Sequence, residues 1–554
     1  QARMSVLAPL TLSQTQDVIS KRYGMKYKSN LGWSKQENVM GGVEHAAPVI
    51  IGPSSLSLAT RPTVAYAGAL DGMIHAFRAG VDTAASASDP GEIVDAGKEI
   101  WSFIPSSQLP KLQYFRSPNA LSNYPAVDAS LAFLEVPDPN YANHYISTLL
   151  ATMGVGGNSL VALDVTDPTG DTPAKPKLLW ERSGVDAATG TVLMGSGSKV
   201  AIGQVTNLAG QTEQRAYITT ALKDKVPCQD AQGVPLNNGS LCGGIQIYSF
   251  DLYSGQQKWR FQRVYNSGVN DIPGSLALAD VDRNGAMDYV ILGDMEGNLW
   301  LLPTVPDYDK NGNEDTVIMA NSNFTDYATT AGTADVIPDI VPLYAPSRDE
   351  AVCPGGVTPL ASPTPCYQAG QDQPIGVSTT VVTRGSHTLL AWATGGAQWA
   401  GDSFYYATYV LDITAVSEYQ LLDTNGKLKG ASLTYKNVLS QGEKVFGALT
   451  YSEGFFYFAT AFGQIEGLNP SDNVALLDKG NIRGVSSTDK ANNWKYAVDG
   501  KFRGSVFVMK GQIYATTLDG KIIDVGSGAF AEPSALNWFK LKSWREIFDL
   551  GTNK

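Results

Sequence analysis

The chain has 554 residues, room for several ordinary domains or one long propeller, with 43% hydrophobic and only 17% charged residues. Its formal net charge of −12 argues against nucleic acid or an acidic membrane surface as the main partner, since both are polyanions. No apolar run approaches the about 18–20 residues that a spanning helix needs, so no transmembrane segment is expected.

Residues 1–40 are weakly patterned, with a short helix expected within Leu12–Lys28. Gln1 is not followed by a basic-then-apolar leader, and the segment reads as a connection to sequence upstream in a longer secreted protein. The propeller region is placed at 41–554. From Ala47 onward one phrase recurs: an apolar strand, a Gly-containing turn and a second strand. Its clearest copy is Val64–Phe77, with Asp71-Gly72 at the turn. Asp-Gly between alternating strands is a strong hairpin signal because such turns need positive φ. Further copies are read at Leu149–Leu163, with its turn at Gly157, and at Gly243–Phe250, marked by Gly243-Gly244. Three tryptophan strands follow such copies: Glu99–Phe103, Leu178–Trp180 and Gln257–Phe261.

The four cysteines fall into two short separations. Cys228 and Cys242 bracket a polar loop within Leu222–Gly243, and Cys353 and Cys366 bracket a Pro/Gly-rich one within Asp349–Ile375. Each pair is expected as a disulfide closing its loop, which points to an oxidising compartment, periplasm or cell surface. Zinc does not fit, because neither pair has CxxC spacing and no His lies near. A third loop, Asp82–Gly97, is small and polar and is read as mobile.

The stretch Asp280-Val-Asp282-Arg-Asn284-Gly-Ala286-Met-Asp288 reads as a calcium loop. Oxygen-bearing side chains stand at positions 1, 3, 5 and 9, Ala286 offers its backbone carbonyl, and Gly285 permits the sharp turn. Three carboxylates in nine residues repel one another unless a cation sits among them, and an oxygen-only donor set suits Ca2+ better than zinc. Strand-like flanks, Leu276–Ala279 and Tyr289–Gly293, place the loop on a β-hairpin rather than between two helices. The next hairpin, Tyr289–Leu302, turns at Glu296-Gly297. A second candidate metal loop follows, with Asp307, Asp309, Asn311, Asn313 and Asp315 at positions 1, 3, 5, 7 and 9. Its flanks are less strand-like, and a plain solvated turn is the competing reading.

The last copies are Trp392–Ile413, with a wide turn near Gly401-Asp402, Phe455–Leu468, turning at Gly463, and Ile513–Ile523, turning at Asp519-Gly520. The segment Asn537–Trp544 is expected as the closing strand. Neighbouring turns lie 53 to 104 residues apart, longer than a four-stranded blade needs, so long inserted loops are expected. The fold class is therefore all-β, a modified β-propeller of about seven blades.

The tryptophan strands and Asp-Gly hairpins resemble the repeats of pyrroloquinoline-quinone dehydrogenase propellers. Together with the Asp280–Asp288 loop inside a blade and the exported character, residues 40–554 resemble the C-terminal domain of the type IV pilus adhesin and assembly proteins called PilY or PilC. That resemblance implies a modified propeller that binds calcium and controls pilus extension against retraction. The ligands carried over are Asp280, Asp282, Asn284 and Asp288 by side chain and Ala286 by carbonyl. The implied partners are pilins and minor pilins, with a host-surface ligand besides, at the periplasm, pilus tip or outer cell surface. Some members of that family carry an Arg-Gly-Asp integrin motif; none occurs here.

Two other readings compete. A quinone-dependent dehydrogenase of this architecture places two adjacent cysteines against its cofactor, and this chain has none adjacent. His45, His75, His144 and His387 are scattered, and His75 on its hairpin reads as a packed core residue. No catalytic constellation is legible, and a non-catalytic protein is expected. An extracellular lectin or matrix-binding propeller is the third reading.

Overall fold

The computed structural model describes residues 25–28, 32–35 and most of 42–526; the larger stretches left undescribed between them are 80–96, 117–125, 193–199, 228–240, 266–273, 320–339, 354–365, 417–429 and 464–478. Strands dominate, and among the described residues they form seven antiparallel sheets of three or more strands, lettered here A to G in chain order. Two compact units divide the chain: one holds sheets A, B and C with residues 314–318, the other holds sheets D to G. No described helix is long and apolar enough to cross a membrane.

In the first unit, sheet A comprises Val49–Ile51, Val64–Gly68, Ile74–Arg78 and Glu99–Phe103. Sheet B runs from Ala132–Pro137 through Tyr145–Thr152 and Ser159–Asp164 to Lys177–Ser183. The middles of its central strands, Leu149–Ala151 and Leu160–Leu163, are apolar at every position for a packing reason. Leu149, Ala151, Val161 and Leu163 face a core shared with Val64, Tyr66 and Ile74, while Leu150, Leu160 and Ala162 face one shared with Ala216, Ile218 and Phe250. A sheet covered on both faces loses the polar half of the strand alternation. Sheet C comprises Ala201–Thr206, Thr212–Ala221, Gly244–Asp251, Gln257–Val264 and, as a fifth strand, Val317–Met319.

Side chains of Lys177–Ser183 latch sheet B to the turn of sheet C. Trp180 donates from Nε1 to the Leu252 carbonyl at 2.7 Å, and Arg182 donates to the carbonyls of Gly255 at 2.6 Å and Ser254 at 3.0 Å. Gly255, at φ 64°, lies so close beneath the indole that a Cβ there would stand 2.5 Å from it. On Thr212–Ala221, the second strand of sheet C, fully buried Arg215 is held by Glu213 Oε2 at 2.8 Å and by both carboxylate oxygens of Glu314. Burial alone would raise Glu213, but Asn207 and the guanidinium pull it down to about 2.

In the second unit, sheet D comprises Ala277–Ala279, Tyr289–Gly293 and Leu299–Pro303, and its core residues Tyr289, Ile291, Leu299 and Leu301 pack with Leu390, Trp392, Tyr409 and Leu411 of sheet E. Sheet E runs from Thr380–Arg384 to Ser432–Val438, sheet F from Glu443–Val445 to Trp494–Asp499, and sheet G from Phe507–Met509 to Ile522–Gly526. Thr380 Oγ1 donates to Leu449 O at 2.5 Å, and Thr450 Oγ1 to Val506 O at 2.5 Å, so the same stitch joins E to F and F to G.

Three expectations are corrected. Met25–Lys28, the end of the expected helix, is a strand paired with Gly32–Lys35; its Met-Lys-Tyr-Lys alternation has period two. Gly243-Gly244 is not a hairpin turn. Gly244 opens a strand that pairs with Thr212–Ala221 across the long insertion, and the turn glycine is Gly255. The strand returning from Phe455–Phe462 is Lys479–Ser486 rather than the residues just after Gly463. His45, the Asp82–Gly97 loop, Gly401-Asp402, Gln464–Leu468, Asp519-Gly520 and the closing segment Asn537–Trp544 lie outside the described residues, apart from Gly97.

Candidate metal centre

Loop 280–288 sits where the hairpin reading puts it. Ala277, Leu278 and Ala279 pair with Ile291, Val290 and Tyr289, and Asp288 N donates to Ala279 O at 2.8 Å, closing the loop at its neck. The interior is ordered by its own side chains. Asp280 accepts from Asn284 N at 3.2 Å and Gly285 N at 2.9 Å; Asp282 accepts from Asn284 N at 3.0 Å and from its Nδ2 at 2.8 Å. Asn284 Oδ1 accepts from Ala286 N at 2.7 Å. Asp288 Oδ2 takes Val281 N at 2.6 Å and Asp282 N at 3.3 Å.

Asp280, Asp282 and Asp288 each present an oxygen within 4.8 Å of the others, and among the described residues this is the one such group of three metal-ligating side chains. Burial raises the Asp288 carboxyl, two backbone amides oppose that, and the Asp282 and Asp280 charges raise it further. Gly285 has φ 90° with nothing near its missing Cβ, so its requirement is torsional rather than steric. Arg283 also takes a left-handed φ, 64°, in spite of its side chain. The Ala286 side chain is buried, which leaves its backbone as its contribution to the loop. All the donors are hard oxygens, a set that fits a calcium-sized cation.

Behind the loop, Thr304 follows sheet D's last strand. Its N–H donates to Asp288 O at 2.8 Å and its Oγ1 to Met287 O at 2.6 Å. Sequence reasoning passed over this residue.

The second loop repeats three of the first loop's hydrogen bonds. Asp307 accepts from Asn311 N at 3.1 Å and Gly312 N at 3.2 Å, and Asn311 Oδ1 accepts from Asn313 N at 2.7 Å. Asp309 lies outside the described residues, and buried Asp315 belongs to the stretch 314–318 of the first unit. Of the cysteines, Cys353 and Cys366 are bonded to each other with Cα atoms 5.0 Å apart. Cys242 is disulfide-bonded, and its expected partner Cys228 lies outside the described residues.

His75 is buried, as expected, but in a polar setting. Its Nδ1 meets Glu99 Oε1 at 2.6 Å and its Nε2 meets Asp71 Oδ2 at 3.0 Å. Asp71, four residues back at the Asp-Gly turn, was the available signal. Trp392 is fully buried and stacks on Tyr409 at 4.9 Å.

Residues 52–329, which include both Asp-rich loops, match the family described as the PilY1 beta-propeller domain. A type IV pilus biogenesis factor PilY1 homolog of Xylella fastidiosa is 30% identical over 247 residues, 44% of this chain and 16% of that protein. The type IV pilus biogenesis factor PilY1 of Pseudomonas aeruginosa is 25% identical over 290 residues, 49% of this chain and 21% of that protein. The matched stretch is thus about a fifth or less of each relative's length. The crystal structure of the Pseudomonas aeruginosa PilY1 C-terminal domain superposes over 85% of this chain and 92% of that one, with 17% identity and a TM-score of 0.46. At that score the likeness is loose, and the propeller assignment stands on the family match and on the sheets themselves.

Proposed function

The chain belongs to the PilY1 β-propeller domain family, and from that premise we propose that it is the calcium-binding, non-catalytic propeller of a type IV pilus-associated protein. The observation that carries the calcium reading is the convergence of Asp280, Asp282 and Asp288 at the neck of a sheet D hairpin. Asp280, Asp282, Asn284 and Asp288 would hold the ion by side chain and Ala286 by its carbonyl. Calcium supplies charge neutralisation there, drawing the two ends of the loop together where three carboxylates otherwise repel. The second loop, with its matching hydrogen bonds, is the candidate for a weaker site.

Pilus association follows the names of the curated relatives, which are called biogenesis factors, a non-enzymatic role. On this reading the partners are pilins and minor pilins, with a host-surface ligand for adhesion. The location is the periplasm, pilus tip or outer cell surface, and the Cys353–Cys366 bridge agrees with export. Ion occupancy biases pilus extension against retraction, and so twitching motility. Binding at a hundredfold excess over Kd stabilises the occupied state by about 2.7 kcal/mol, enough to bias a local hinge without being needed for the fold.

Calorimetry with calcium tests the site: the parent chain should bind, and Asp288→Ala should abolish binding at this loop while the circular dichroism spectrum stays unchanged. In a piliated cell the same substitution should leave protein levels normal but lower surface pili or twitching. Calcium binding by Asp288→Ala equal to the parent's removes the site. Lost binding with untouched piliation and motility makes the ion structural and removes the regulatory role.

A further inference from the structure

The candidate ligand at the end of the loop is fixed from outside it. The peptide group joining Met287 to Asp288 is gripped at both ends. Its N–H donates to Ala279 O at 2.8 Å, and its C=O accepts from Thr304 Oγ1 at 2.6 Å. The next carbonyl, that of Asp288, takes Thr304 N at 2.8 Å, with Thr304 Oγ1 3.2 Å away. A threonine hydroxyl has one proton to give, and the shorter contact assigns it to Met287 O. Thr304 is 3% exposed, so water does not readily replace that bond.

A peptide plane held at both ends leaves its Cα little freedom, and the Asp288 side chain is carried on that Cα. Its Oδ2 is already engaged by Val281 N and Asp282 N. The direction of the remaining oxygen is therefore set by the backbone beneath it. Ordinary ladder pairing of residue 304 with residue 288 needs only backbone groups. The hydroxyl adds a bond the ladder does not require, at the peptide next to the ligand.

We propose that the Thr304 hydroxyl is a positioning group for the cation loop, holding the Met287–Asp288 peptide so that the Asp288 carboxylate stands ready for the ion. The inference rests on the calcium reading of 280–288 and adds to it a residue outside the nine-residue motif. Groups that orient ligands in this way are commonly worth 10–100-fold in metal affinity.

The test is calcium calorimetry on the full chain and on two variants, with melting of each calcium-free protein measured alongside. Thr304→Val keeps the shape and the backbone N–H but loses the hydroxyl, and should weaken calcium by about tenfold. Thr304→Ser restores the hydroxyl and should return affinity to the parent's level, even where lost methyl packing lowers its melting temperature. A merely structural threonine would shift calcium-free melting in both variants and leave affinity alone. Thr304→Val binding calcium as the parent does, or Thr304→Ser binding as weakly as Thr304→Val, overturns the inference while the site stands. If the parent takes up no calcium, the loop assignment falls and the inference with it.

Discussion

His75 has acceptor-only carboxylates at both ring nitrogens, Glu99 at 2.6 Å and Asp71 at 3.0 Å, so both nitrogens must donate and the ring is held as the imidazolium. Burial alone would lower its pKa, but the two hydrogen bonds and the two charges overcome it, and the pKa stands above the ordinary 6.5. A group raised on folding lends stability that is complete below the unfolded value and lost as pH rises through the folded one. Denaturant unfolding from pH 6 upward should therefore show stability falling above about pH 6.5, with a smaller slope in His75→Gln. An unchanged slope in that variant would remove the clamp. The Asp71-Gly72 turn and the strand carrying His75 were plain in the sequence. Glu99 was not a visible partner, because 23 residues separate it from His75 and the alternation of one strand does not say which residue lies across the sheet.

Among the elements, tryptophan strands were legible as strands, since an aromatic in an alternating run suits a half-buried sheet. What Trp180 does there was not, because its partner is the hairpin turn of the following sheet, more than 70 residues on. The same blindness misplaced the third turn at Gly243-Gly244. Local pattern finds a glycine between apolar runs but cannot tell a strand start from a turn when the paired strand lies across an insertion. Gly255→Ala should be costly, because the left-handed φ costs about 1–2 kcal/mol and the added methyl meets the indole. Trp180→Phe, which loses the bond to Leu252 O and keeps most of the packing, should cost roughly 1–3 kcal/mol. Both should lower the denaturant midpoint at unchanged slope and leave calcium affinity where it was. An effect on calcium without one on stability would contradict the latch.

For the whole molecule, the all-β class, most hairpins and the Asp280–Asp288 loop followed from alternation and turn chemistry alone. Thr304 was within reach of the same reasoning: the turn at Glu296-Gly297 sets Tyr289 against Pro303, and one more step outward sets Asp288 against Thr304. The fifth strand of sheet C was not within reach. Three apolar residues after an Asp-rich loop do not announce that they pair with Gln257–Val264, which precedes the whole of sheet D in the sequence. That strand decides how the protein may be cut. A fragment ending at residue 272 would keep sheets A to C in sequence yet lose their outermost splint, baring the backbone groups of Gln257–Val264 to any passing chain. It would also strip Glu314 from buried Arg215. Such a fragment should elute as aggregate in gel filtration, and grafting residues 314–319 back through a flexible linker should return a monomer. The apparent domain boundary is therefore a poor place for scissors: the first unit borrows its selvedge from downstream, and half the protein must be made before that hem is sewn.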